Sequence, residues 1–554
     1  MIQAKQLSWL TYGLSLSIGL GAAVSIFGWP VLLGLAPYWD SPRGIVGNSG
    51  LDMLQALSGY DLFVRDIWRW PLLRVEGLGG PQGTIIAFTD SAPALVIIGR
   101  MIFRLTGATP VLFGFWTAGC FILSAVASTA LVRLLGGRSV VAGVTAAVVA
   151  VSMPALLVRW GHLTLMAQGL IPLTLFAYLN LTRGVRPNRA FAAMLLICLF
   201  STLTSPYLFF MVISIALAGA AQSGLNRVVS PLRAVLHGAC LIGGCLVMLF
   251  TLGYLSADSF ADWGFGTFSM NLLSPIVPQV SGLYPGARGL LDATGGQYEG
   301  LVYLGMGLLL MTVIAMPDLR RHLPGRIGRH KVLAIVLLGS LALAISNEVY
   351  AGPIHLMSVP LPDFLDRLTG TVRASGRLAW IALYLGTGLV ISTVARLRWA
   401  APVLIIACVL QWVDAGPLRS FIRASVAVPF NTIDRAAWAN ALPMVRQVIV
   451  SPPFLCIIAK PENNGIRLAA VEIQLKAAQA GIPNNSVYAA RTRPDCSLPE
   501  PRPGALLVFL QPEAIRPDMP CASGALLTVC HDRLSTATLA ALATTTPIPE
   551  NVGE

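Results

Sequence analysis

Asn48-Ser49-Gly50-Leu51-Asp52-Met53-Leu54-Gln55-Ala56-Leu57-Ser58-Gly59-Tyr60, then Trp68-Arg69-Trp70-Pro71-Leu72, then Phe88-Thr89-Asp90-Ser91-Ala92-Pro93, form a polar and aromatic stretch between two long apolar segments. Leu51, Leu54, Leu57, Leu62 and the Trp68/Trp70 pair fit an amphipathic helix lying at a membrane interface. Asp52 falls in the first turn of that helix, where a carboxylate suits the helix dipole. One reading of Asp52 is therefore a helix-start residue. The other is a base held at the membrane surface.

Around this stretch the chain is apolar. Of 554 residues, 55% are hydrophobic and 11% charged, and the mean hydropathy is +0.72. A soluble domain carries roughly 25% charged residues. The composition is that of an integral membrane protein, and its apolar segments have the length of helices, not barrel strands. The first runs from about 9 to 35 and is longer than the apolar core of a signal peptide. Ten more follow at about 109–132, 139–157, 164–181, 190–203, 206–222, 234–255, 299–316, 331–346, 378–395 and 399–414, for an expected eleven spans. Residues 93–106 are apolar but short, and Arg100 and Arg104 belong poorly in a bilayer centre, so they read as a second interfacial helix.

The net charge of +13 would fit a nucleic-acid binder, but the charges are placed otherwise. Alternate turns collect Arg133 and Arg138; Arg183, Arg186 and Arg189; Arg227 and Arg233; Arg320, Arg321, Arg326, Arg329 and Lys331; and Arg396 and Arg398, with Asp318 the one acid among them. Basic turns stay in the cytoplasm. The N-terminus is expected there, no nucleic acid is expected, and the acidic loops 37–108, 256–298 and 347–377 face the other side.

From about 415 the composition turns polar. Val445–Val450, Phe454–Ala459, Ser486–Ala490, Ala505–Leu510 and Leu526–Val529 read as strands, and Ile466–Ala480 as a helix. The domains are thus a transmembrane part, 1–414, and an α/β part, 415–554, on the non-cytoplasmic side. Cys456, Cys496, Cys521 and Cys530 lie in the latter. One or two disulfides are expected in an oxidising compartment, with the pairing left open.

No Walker loop, Gly-x-Ser-x-Gly or zinc motif is present, and Gly79-Gly80-Pro81-Gln82-Gly83 is turn chemistry. The polar residues at loop and span ends remain. Asp52 and Asp90 lie in the first loop, with Asp40 near them; His162 follows Arg159-Trp160-Gly161; Asn271 and Glu299 bracket the second large loop; Arg373-Ala374-Ser375-Gly376-Arg377 precedes a span. An arginine pair beside carboxylates suits a lipid-linked phosphate, the arginines holding the anion while a carboxylate takes a proton from an acceptor hydroxyl. The structural readings are snorkelling for Arg373 and Arg377, packing for His162, and a helix start for Glu299.

The order of these elements resembles the GT-C superfamily of polytopic glycosyltransferases. Asp52, Trp70-Pro71 and Thr89-Asp90-Ser91-Ala92-Pro93 carry that resemblance. More closely, the chain is similar to a bacterial membrane-protein family of unassigned function within that group, through Asp52-x-x-Gln55-x-x-x-Gly59-Tyr60, Thr89-Asp90-Ser91, Gly161-His162, Ser269-Met270-Asn271-Leu272, Glu299-Gly300-x-x-Tyr303-Leu304-Gly305 and Arg373-Ala374-Ser375-Gly376-Arg377.

The resemblance implies an α-helical polytopic membrane protein of the bacterial cytoplasmic membrane with a periplasmic C-terminal α/β domain. It implies inverting transfer of a sugar from a polyprenyl-phosphate donor to a glycan, lipid or protein acceptor. Asp52 would be the general base, with Asp90 as a second catalytic carboxylate. Arg373 and Arg377 would bind the donor phosphate, and Gln55, His162, Asn271, Glu299 and Tyr303 would contact substrate. Met53 follows Asp52 where many GT-C members carry a second acid, which weighs against a divalent metal. No cofactor is assigned.

The alternative is a transporter or flippase of a lipid-linked saccharide. A transporter places polar or broken-helix sites near mid-membrane, often in repeated halves. Here the spans are almost free of charge and no repeat is evident. An inactive scaffold is a third reading.

Overall fold

Proline sets where many of the helices start. Pro93, Pro154, Pro187, Pro206 and Pro231 each occupy the first turn of a helix. There the missing N–H has no intrahelical partner to lose. Ser139 and Ser230 cap two helices by accepting from the backbone N–H of Ala142 and Arg233. The computed structural model describes residues 2–40, 51–79, 83–255, 264–284, 291–427, 431–458, 460–490, 495–510 and 519–546. Asn48, Ser49, Gly50, residues 80–82 and parts of the 256–298 loop, all named above, lie outside these.

Each of the eleven apolar segments contains helix. Among the described residues, six helices are long and apolar enough to cross a bilayer: Gln6–Leu32, Phe113–Leu134, Leu163–Thr182, Pro206–Leu225, Pro231–Leu252 and Ser375–Val394. Two bent pairs raise the number to eight if each is one span. These are Met306–Arg329 with Lys331–Ile345, bent by 109°, and Ala400–Asp414 with Gly416–Ala427, bent by 43°. Val140–Val151 has 12 residues and Pro187–Thr202 has 16, against the roughly 20 that a span requires. The chain is a multi-pass helical protein with six to eight candidate spans. The first helix packs on Phe113–Leu134 and Val140–Val151, where Ser15 and Thr129 meet hydroxyl to hydroxyl at 2.8 Å.

The helix that opens the first loop, Leu51–Arg65, differs from expectation. It does not lie with one face in lipid headgroups: Leu51 and every residue from Met53 to Val64 are buried. The Pro93–Thr106 helix packs on one side of it and Asn464–Ala480, from the C-terminal domain, on another. Sequence periodicity reads an apolar stripe but not the late chain segment that covers the rest. Arg100 follows the same logic. It is fully buried, with its Nε donating to the Phe63 carbonyl at 2.8 Å and its guanidinium 3.4 Å from the Phe63 ring centre. The carbonyl end of the Leu51–Arg65 helix receives this charge.

The C-terminal domain contains a four-stranded sheet in the order Gln447–Ser451, Ala505–Phe509, Thr528–Cys530, Cys521–Ser523. The first pair is parallel and the others antiparallel. Helix Asn464–Ala480 lies where the sequence placed one. Two expected strands are absent. Phe454–Cys456 is a single 3-10 turn, and Ala459 lies outside the described residues. Residues 486–490 instead direct backbone groups elsewhere, the Ala490 N–H donating to the Phe88 carbonyl at 2.8 Å. Disulfides join Cys456 to Cys496 and Cys521 to Cys530.

Candidate functional site

Close approach of backbone to backbone builds this site. A Cβ on Gly59 would lie 2.1 Å from Thr89 Oγ1, so only glycine lets the Leu51–Arg65 helix rest on the Thr89-Asp90-Ser91 turn. Ser91 Oγ donates to the Ala56 carbonyl at 2.5 Å, and Gln55 Nε2 donates to the Phe88 carbonyl at 3.2 Å. Asp90 itself adopts a left-handed backbone, φ 57°, which an aspartate tolerates better than most residues. Thr164 donates to its Oδ1 at 2.5 Å.

A second close approach sets the other wall. A Cβ on Gly376 would lie 2.5 Å from the Gly300 Cα. The two turns Gln297–Gly300 and Ser375–Ala379 therefore touch, and Glu299 meets Arg377. Arg377 donates through Nε and Nη2 to Glu299 Oε2 at 3.0 and 2.8 Å. Arg159, fully buried, pairs with the same oxygen. Its Nη2 also donates to the Glu299 and Tyr298 carbonyls, at 3.0 and 3.3 Å.

His162 stands between the two walls. Its Nε2 lies 3.3 Å from Asp52 Oδ2 and 3.7 Å from Glu299 Oε1, and its Nδ1 lies 3.5 Å from Asp90 Oδ2. From the C-terminal domain, Tyr488 donates its hydroxyl to Asp52 Oδ1 at 2.7 Å. Arg373, half-buried, lies 5.9 Å from the Phe268 ring centre and acts electrostatically on Tyr488.

The protonation states follow from these neighbours. Burial lifts the Asp52 carboxyl above the ordinary carboxylate value, opposed by His162 and by the Tyr488 hydroxyl. Burial alone would strip the proton from His162, but Asp52, Asp90 and Glu299 reverse this and hold its pKa above the ordinary imidazole value. Burial also works against the Glu299 carboxylate, yet Arg159, Arg377 and His162 outweigh it and hold its pKa well below the carboxylate range. Burial and the Asp52 charge push the Tyr488 hydroxyl upward.

Of the residues singled out from sequence, Asp52, Asp90, His162, Glu299 and Arg377 come together. Three others are engaged in contacts of their own. Gln55 is buried and its Nε2 donates to the Phe88 carbonyl, beside the Asp90 turn. Asn271 is saturated: it donates to Gln297 Oε1 and the Gly352 carbonyl, and accepts from the Gly352 and Leu273 N–H groups. Tyr303 is buried beside Asp414 and Ser281. Arg377 is present, with its Nε and Nη2 tied to Glu299.

Sequence reading missed Arg159 and Tyr488. Arg159 was visible two positions from Gly161-His162, and an arginine next to a span end was the available signal. Tyr488 carried none, because it sits in a segment read as a strand. Among the described residues, no group of three or more His, Cys, Asp or Glu side chains is arranged to hold a metal ion.

Residues 16–416 match the family described as a domain of unknown function, DUF6311. No curated protein matches the chain. The chain belongs to the DUF6311 family.

Proposed function

We propose that this member of the DUF6311 family is a GT-C-type membrane glycosyltransferase. It moves a sugar from a polyprenyl-phosphate donor to a glycan, lipid or protein acceptor at the external face of the bacterial cytoplasmic membrane. The observation that carries this reading is the setting of Asp52. Its carboxylate is 22% exposed, is oriented by a hydroxyl from one domain and an imidazole from the other, and lies beside cationic side chains. This is a base with one open side.

In the proposed reaction the acceptor oxygen attacks the anomeric carbon and the bond from that carbon to the phosphate oxygen breaks. Polyprenyl phosphate leaves with the electron pair, and the acceptor proton passes to Asp52. Attack opposite the leaving group inverts the anomeric centre. Asp90 and Thr164 hold His162, which keeps positive charge beside Asp52 and favours its ionised form. Arg373 is one donor-phosphate contact. Arg159 and Arg377 hold Glu299 rigid behind His162.

The basic turns of the sequence support a cytoplasmic N-terminus. The two disulfides support a periplasmic C-terminal domain. That orientation predicts that a cysteine introduced at Glu500 is labelled by a membrane-impermeant reagent from outside; labelling from the cytoplasm alone would invert the topology.

The test is purified protein in nanodiscs with labelled polyprenyl-phosphate sugars and membrane extract as acceptor. Wild type should give labelled product. Asp52→Asn should lose about 10²–10⁴-fold in transfer while keeping its yield and donor binding. Retained turnover in Asp52→Asn reassigns the base. Movement of the donor lipid between leaflets without any product replaces transfer with transport.

A further inference from the structure

Near the candidate site, most buried arginines are answered by an oxygen. Arg159 and Arg377 have Glu299, and Arg100 has the Phe63 carbonyl. Arg467 differs. It lies in the Asn464–Ala480 helix and is 8% exposed. Its Nε is buried without a hydrogen-bond partner, and it forms no ion pair among the described residues. The contact it does make is over the Phe454 ring, 5.1 Å from its centre. A buried guanidinium with no contact ion pair, answered only by the more distant Asp52 charge, is costly to keep, and the cost is relieved by an anion that arrives with a ligand.

Its place in the fold says which ligand. The Phe454 ring packs on Tyr488 with centres 4.5 Å apart. Tyr488 donates to Asp52, and the Asp52 charge reaches Arg467. Arg373 of the membrane domain also acts on Tyr488. Two arginines, one from each domain, therefore flank the same tyrosine beside the base. Arg467 and Tyr488 both lie beyond residue 416, where the family match ends. Between Cys456 and Cys496, one disulfide loop brackets them both.

We propose that Arg467 is the anion receptor of this site, its guanidinium taking phosphate oxygens of a lipid-linked phosphate at the seam between the C-terminal and membrane domains. The C-terminal domain is then part of the binding site. The choice of a lipid-linked phosphate rests on the glycosyl-transfer reading above.

The experiment uses full-length protein in nanodiscs of zwitterionic lipid, with three probes: a polyprenyl phosphate, the uncharged polyprenol and inorganic phosphate. Binding and thermal midpoint are both read. Polyprenyl phosphate should bind and stabilise wild type. Arg467→Met should weaken that binding about tenfold or more, the loss expected of a hydrogen bond to a charged group, and leave polyprenol binding unchanged. Without ligand, Arg467→Met should melt at or above wild type, because an unpaired buried charge is gone. Arg467→Lys should bind with intermediate strength.

The proposal is overturned if wild type does not bind polyprenyl phosphate, if Arg467→Met binds it like wild type, or if ligand-free Arg467→Met melts well below wild type. Inorganic phosphate protecting as strongly as the lipid, with both effects lost in Arg467→Met, overturns the lipid-linked assignment in favour of a free anion. Arg467-dependent binding with no sugar transfer from any donor sinks glycosyl transfer and leaves the receptor standing. Transfer that survives Arg467→Met unchanged does the reverse.

Discussion

Two carboxylates face the same imidazole from opposite walls, and their surroundings differ in kind. Glu299 is 7% exposed and receives two guanidinium groups on one oxygen. Asp52 is 22% exposed and receives one phenol and one edge of His162. The arginines hold Glu299 ionised far below the ordinary carboxylate range, whereas burial holds Asp52 above it. A carboxylate saturated by two arginines has no capacity left for a proton in transit. One partly satisfied and partly open has that capacity. The same side-chain chemistry thus gives a clamp on one wall and, on the other, the carboxylate proposed as the base.

The largest expected effect breaks the clamp. Glu299→Gln leaves Arg159 and Arg377 buried and unanswered, which costs about 3–5 kcal/mol. Thermal unfolding in detergent should show the loss, whereas Asp52→Asn should shift stability by less than about 1 kcal/mol. Equal losses from both would erase the distinction between the walls. Next in size is Gly376→Ala. Its Cβ must displace the Gly300 backbone, an overpacking cost of about 1–3 kcal/mol. A fully stable Gly376→Ala would show that the two turns need not touch.

Acid should separate the two carboxylates. The stability from Glu299 is complete above the ordinary carboxylate pKa and is lost only as pH falls through its depressed value. The proposed transfer needs Asp52 unprotonated, and its pKa is raised, so transfer should fall away at a pH where the fold is still intact. His162 lowers the Asp52 pKa, so His162→Gln should move the acid limb of kcat/KM to higher pH. An unmoved limb would mean that Asp52 is not the titrating group.

The smallest effect is that of Tyr488→Phe. It removes one hydrogen bond that favours the ionised Asp52, worth roughly 1 kcal/mol. The same limb should shift in the same direction by less than in His162→Gln. A larger shift than in His162→Gln would make the phenol, not the imidazole, the main support of Asp52.

Much of the membrane architecture was legible because apolar runs and proline starts are local signals. Every expected apolar segment contains helix, and the meeting of Asp52, Asp90, His162 and Glu299 was readable from polar residues at span ends; Arg373 was expected with them, but it is Arg377 that pairs with Glu299, while Arg373 lies by Phe268. What was illegible depended on contacts between distant segments. The burial of Leu51–Arg65 by a helix more than 400 residues later has no local trace, because apolar periodicity reports a face and not what covers it. Asn271 and Gln55 read as site residues because a buried amide looks the same in sequence whether it holds a loop or a ligand. Residues 486–490 read as a strand because alternation does not say which backbone will be its partner, and that partner lies in the first loop.

The hydrogen bond from Tyr488 to Asp52 joins positions 436 residues apart. At about 5–20 residues per second, a ribosome takes roughly 20–90 s to travel from one to the other. For that interval the growing chain already carries the Asp52 carboxylate, but the phenol that orients it does not yet exist. In the proposed topology, the domain carrying the phenol also has to cross to the same side before it closes over the first loop. The site is therefore finished among the last acts of synthesis, and an incompletely made copy has Asp52 without Tyr488.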